Sequence, residues 1–129
     1  MKHIIVLFGE AEKGQFQKPY HVNSLGELVD SLGQPPAESQ GLFFAVQSLL
    51  YQRKLIYFRV AEEGFGFSDY YQGFQYLAKE KESIKNIHAL CLPGVGDAKI
   101  LDASEPLRET HRSLLITNQK DLYDYLTSI

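Results

Sequence analysis

Residues 3–9 read His3-Ile4-Ile5-Val6-Leu7-Phe8-Gly9, and this stretch decides the fold class. A short unbroken apolar run, rich in β-branched and aromatic residues and stopped by glycine, predicts a buried strand. Residues 55–60 (LIYFRV) and 87–92 (IHALCL) have the same character, and Leu114–Ile116 forms the core of a fourth such run. Pro19–Val22 is expected to be a short edge strand, because proline at a strand's first position removes no needed ladder bond. Arg59 must point out of its strand or find an acidic partner.

Helical patterns separate these runs. Ser24 and Glu27 have capping-box spacing, in which each side chain satisfies the other residue's orphan N–H. Leu25, Leu28, Val29 and Leu32 then recur at i, i+3, i+4 and i+7, one apolar stripe closed by Gly33 and Pro35-Pro36. A second helix is expected from about residues 37–40, burying Leu42, Ala45, Val46, Leu49 and Leu50. A third, capped by Ser68, should bury Tyr70, Tyr71, Phe74, Leu77 and Ala78. Residues 97–111 are the least legible, and a short helix from Ser104 with Pro106 in its first turn is predicted. Asn118 and Asp121 repeat the cap spacing before a final helix burying Leu122, Tyr125, Leu126 and Ile129. Strands alternating with helices require a mostly parallel sheet with right-handed crossovers and helices on both faces. The expected architecture is therefore a single three-layer α/β/α domain, residues 1–129, on a four- or five-stranded sheet.

The bulk properties narrow the function classes. The chain has 129 residues, 44% apolar, and a net charge of −3, so no broad cationic surface is available for nucleic acid or an anionic membrane. The lone Cys91 fits a reducing compartment, and no run approaches the roughly 20 apolar residues of a membrane span. No signal-peptide pattern opens the sequence, so a cytoplasmic location is the expectation.

Sheets of this kind bind ligands beyond the carboxyl ends of their strands, which singles out residues 9–14, 61–67, 93–97 and 117–119. The turn at Gly94, Gly96 and Asp97 is a candidate phosphate cradle, since glycines let N–H groups approach an anion. It lacks the full dinucleotide-binding glycine pattern and a Walker lysine, so a strand-ending turn is the plainer reading. Cys91 with His88 or His111 as base is disfavoured, because strand alternation sets His88 opposite a buried Cys91. Glu10, Glu12, Glu62 and Glu63 read as a solvated acidic rim rather than a metal site, and the four histidines have no ligand spacing. No metal and no cofactor is expected. Phe16, Phe65 and Phe67 stand in polar or glycine-rich loops, where aromatics exposed together mark a partner surface.

One resemblance emerges from the order of these motifs. Residues 8–14 (FGEAEKG), followed by Pro19, Val22 and Ser24, resemble the opening of contractile phage tail sheath proteins. Leu32-Gly33, Ala45-Val46, Phe58-Arg59-Val60 and Leu90-Cys91-Leu92-Pro93-Gly94 with Asp97 continue that similarity. It implies a structural, non-enzymatic subunit that binds protein partners or itself. Sheath subunits are also linked by terminal arms, for which a first strand at residue 3 and a last helix running to Ile129 leave no room. Gln52-Arg53-Lys54 replaces the family's usual glycines. The expectation is thus a protein-binding or assembly core, and the alternative is a small module acting on a phosphorylated or nucleotide ligand at Gly94–Asp97.

Overall fold

The computed structural model describes residues 3–128 and has an α/β fold. Five strands, β1 (Ile4–Gly9), β2 (Pro19–Val22), β3 (Lys54–Arg59), β4 (Ile87–Cys91) and β5 (Leu114–Ile116), form one sheet in the order β2-β3-β1-β4-β5. All neighbouring pairs are parallel except β2 with β3, so the sheet is mostly parallel with one antiparallel edge. Residues 5–9 of β1 are buried because a neighbour lies on each side and helices lie on each face.

The helices are α1 (Leu25–Leu32), α2 (Gly41–Leu50), α3 (Phe67–Lys79), α4 (Ala98–His111) and α5 (Gln119–Leu126). On one face Ile5, Leu7, Tyr57 and Cys91 pack with Leu28, Leu32, Leu42, Ala45, Leu122 and Leu126 of α1, α2 and α5. On the other, Val6, Phe8, Phe58 and Leu90 meet Tyr70, Phe74, Leu77, Ile100 and Leu107 of α3 and α4. The two sets alternate along β1 and β3, as a period of two requires. Gly73 brings α3 close to the sheet: a Cβ there would fall on the ring of Phe8, which stacks on Phe58 at 4.7 Å.

Several expectations are corrected. In α1 only Leu28 and Leu32 are buried, and Leu25 and Val29 face solvent, because an eight-residue helix over an edge strand has a narrow buried face. The second helix starts at Gly41 and buries Phe44 and Ser48, whereas Leu50 is exposed. Helix α3 begins at Phe67 after a left-handed Gly66, with no side-chain cap from Ser68, and Tyr71 and Ala78 are exposed. Helix α4 starts six residues earlier than predicted, since the Asp97 carboxylate accepts the Lys99 N–H at 2.8 Å and caps it. Pro106 therefore lies inside α4, where its ring removes one ladder bond. Just upstream, the Leu101 carbonyl accepts additional bonds from Ser104 Oγ at 2.7 Å and Arg108 Nη2 at 3.3 Å. The Asn118 cap of α5 is as predicted, accepting from Asp121 N at 2.8 Å, and Ile129 lies outside the described residues.

Candidate functional site

Strand β1 crosses over to β3 on one side, and β3 crosses back to β4 on the other, so the connections diverge at the carboxyl end of β1. That divergence is where open α/β sheets form a ligand crevice. Here the crevice is occupied by the chain itself. The Glu63 carboxylate, from the loop after β3, accepts N–H bonds from Glu10 at 2.9 Å, Gln40 at 2.8 Å and Gly41 at 2.8 Å. Two of these donors are the N-cap and first residue of α2, where an anion complements the helix dipole. In return the Glu10 carboxylate accepts the Glu63 N–H at 2.9 Å.

Glycines make the approach close enough. A Cβ on Gly41 would lie 2.7 Å from the Gly9 Cα and 2.9 Å from Glu63 Oε2, so neither glycine tolerates a side chain. Below them the buried Tyr57 hydroxyl donates to the Glu10 carbonyl at 2.8 Å. Burial, then the nearby Glu63 and Glu10 carboxylates, pushes the Tyr57 phenol well up, so it stays a donor. Tyr70 accepts the Gly64 N–H at 2.8 Å, and burial pushes its phenol up to about 12. The predicted acidic rim is thus two kinds of carboxylate. Glu62 and Glu12 are exposed, although Glu12 accepts the Gln34 N–H at 2.9 Å, whereas Glu10 and Glu63 are half-buried and lock loops together.

The turn at Gly94, Gly96 and Asp97 abuts the same lock, since a Cβ on Gly64 would fall on the Gly94 carbonyl. Its Gly94 N–H points to Thr117 O at 3.4 Å and its Val95 N–H to Leu92 O at 3.1 Å. The Asp97 carboxylate covers the start of α4, where a bound anion would otherwise lie. Gly96 faces open space.

The three singled-out phenylalanines occupy separate settings at this end. Phe65 projects from the β3–α3 loop and is 63% exposed. Phe67 is the first residue of α3, not a loop residue, and stacks on Tyr71 at 5.3 Å. Phe16 bridges to Arg59, whose guanidinium lies 4.4 Å from its ring centroid and donates to the Gly14 carbonyl. Arg59, expected to point out of its strand or to find an acid, thus lies half-buried against an aromatic face and a carbonyl.

Cys91 is fully buried, and burial pushes its thiol up, away from thiolate. A register shift between β1 and β4 beside His88 breaks the alternation from which its side was predicted. His88 instead stacks on His3 at 4.0 Å and accepts the Ile4 N–H through Nδ1 at 3.3 Å. His111 Nδ1 accepts the Ile87 N–H at 3.3 Å. Among the described residues no group of three or more His, Cys, Asp or Glu side chains is arranged to hold a metal, and no helix is long and apolar enough to cross a membrane.

The Glu63 plug has no sequence signature, because its donors lie 22, 23 and 53 residues away. No protein-family model matches the chain, and neither curated proteins nor solved structures yield a match.

Proposed function

We propose that this domain is a non-enzymatic protein-binding or assembly unit, comparable to the core of a contractile tail sheath subunit. One observation carries the reading: the backbone donors that would hold a small anion at the strand ends are taken by Glu63. Around that closed end, Phe65, Phe16 and Phe67 keep large apolar area in water, which suits recognition of another polypeptide. Both sheet edges are short, β5 with three residues and β2 with four beginning at a proline, so side chains rather than strand addition supply the contact.

The test is capture of the purified domain by immobilised tail-tube and baseplate proteins. Retention by one of them, lost in the Phe16→Asp, Phe65→Asp double variant with its circular dichroism unchanged, is expected. Equal retention of the variant, or no retention together with saturable binding of a nucleotide in calorimetry, refutes the assignment.

A further inference from the structure

The most anomalous helix lies away from the strand ends. From Ser39 to Gln52 the chain carries no charged residue, and α2 within it reads Gly-Leu-Phe-Phe-Ala-Val-Gln-Ser-Leu-Leu. A helix apolar on all sides belongs inside a core, whereas a surface helix keeps a charged outer face. Yet α2 has an outer face: Phe43 is 57% exposed and Leu50 60%, with Gln47 and Tyr51 exposed beside them. Phe43, Gln47 and Leu50 stand at i, i+4 and i+7, one straight stripe. The stripe continues onto α5, where Tyr123, 60% exposed, borders a hollow it shares with Gln47 and Leu122.

We infer that this face joins two copies of the chain, α2 packing antiparallel on α2 across a two-fold axis at Gln47. Three features select a second copy as the occupant. In an isologous contact the groups nearest the two-fold axis meet their own duplicates, so a charge there would repel itself, and the stripe has none. Gln47 is flanked by Phe43 four residues before and by Leu50 and Tyr51 three and four residues after, so a dyad through it sets Phe43 against the second copy's Leu50 and Tyr51, twice. A glutamine amide both donates and accepts, and it can therefore bond to its own duplicate.

The area is adequate. At about 200 Å² per aromatic side chain, the open parts of Phe43, Tyr51 and Tyr123 with Leu50 amount to roughly 400 Å². That is about half of the ~800 Å² per partner in a stable interface, the share an apolar centre takes. The exposed Gln119 and the Lys120–Asp124 ion pair lie on α5 beside Tyr123 and supply a polar rim.

This contact is separate from the strand-end surface, and the two stand or fall independently. Sedimentation of the wild-type domain from about ten micromolar to one millimolar should give a mass rising to twice that of the chain. Phe43→Glu should weaken the dimer at least about 100-fold, and Phe65→Asp should leave it unchanged. Gln47→Glu and Gln47→Lys chains should each be monomeric alone and pair when mixed, since the dyad then sets opposite charges together. A wild-type chain monomeric throughout that range overturns the inference. So does a dimer that survives Phe43→Glu, or one that Phe65→Asp dissolves.

Discussion

Replacing Glu63 by alanine removes the acceptor of three backbone N–H groups at once, those of Glu10, Gln40 and Gly41. A hydrogen bond to a charged group contributes about 1.5–3 kcal/mol when shielded, and an orphaned buried donor costs about 1–3 kcal/mol. The site is half-buried, so water can replace part of what is lost, and about 1 kcal/mol per bond is the reasonable figure. The sum, about 3 kcal/mol, is a large fraction of the roughly 5–15 kcal/mol that holds a domain folded. Urea unfolding at pH 7 should show it as a lower midpoint with an unchanged m-value, since the surface exposed on unfolding is the same. A thermal scan should fall by about 10 °C for a chain of this size. Glu63→Gln keeps the shape but turns an amide nitrogen toward an N–H donor, so it should lose at least half as much. Glu62→Ala, at an exposed neighbour, should stay within about 0.5 kcal/mol. If Glu63→Ala behaves like Glu62→Ala, the strand-end crevice is not closed by this carboxylate and the reasoning fails.

Gly73→Ala should destabilise by about 1–3 kcal/mol in the same urea assay, because the new methyl meets the fully buried Phe8 ring. Burial holds the imidazoles of His3 and His111 below their ordinary 6.5, with the neighbouring His88 adding to the effect at His3. The unfolded chain therefore binds more protons once the pH drops under about 6.5, and stability must fall with acid from that point. Urea midpoints should be flat from pH 8 to 7 and lower at pH 5.5, with a shallower decline in His111→Asn. Cys91, fully buried with its thiol pushed up, should resist a thiol-specific disulfide reagent in the native state. It should react fully in denaturing urea, and rapid native labelling would contradict its placement in the core.

How much was legible depended on how local the cause was. The Ser24–Glu27 and Asn118–Asp121 caps involve residues three apart, and both helices begin where those pairs predict. Asp97 has the chemistry of a cap, but Pro106 inside α4 mimics a first-turn proline, so the sequence misplaces the start of that helix. Phe16, Phe65 and Phe67 could be marked as unsheltered by any apolar stripe, yet their partners Arg59 and Tyr71 could not be named. Tyr71 and Leu50 have core-type spacing and are nonetheless exposed. A helix's buried arc is set by what lies against it, and spacing alone does not reveal that.

The order of apolar runs and caps was sufficient to determine an α/β domain on a mostly parallel sheet. Each strand and helix declares itself through contacts within a few residues, and alternation leaves few ways to bury both. Strand order, the antiparallel edge and the closing of the crevice by Glu63 were decided only in three dimensions. They depend on crossovers that bring together backbone groups tens of residues apart, and no short-range pattern encodes which donor meets which carboxylate.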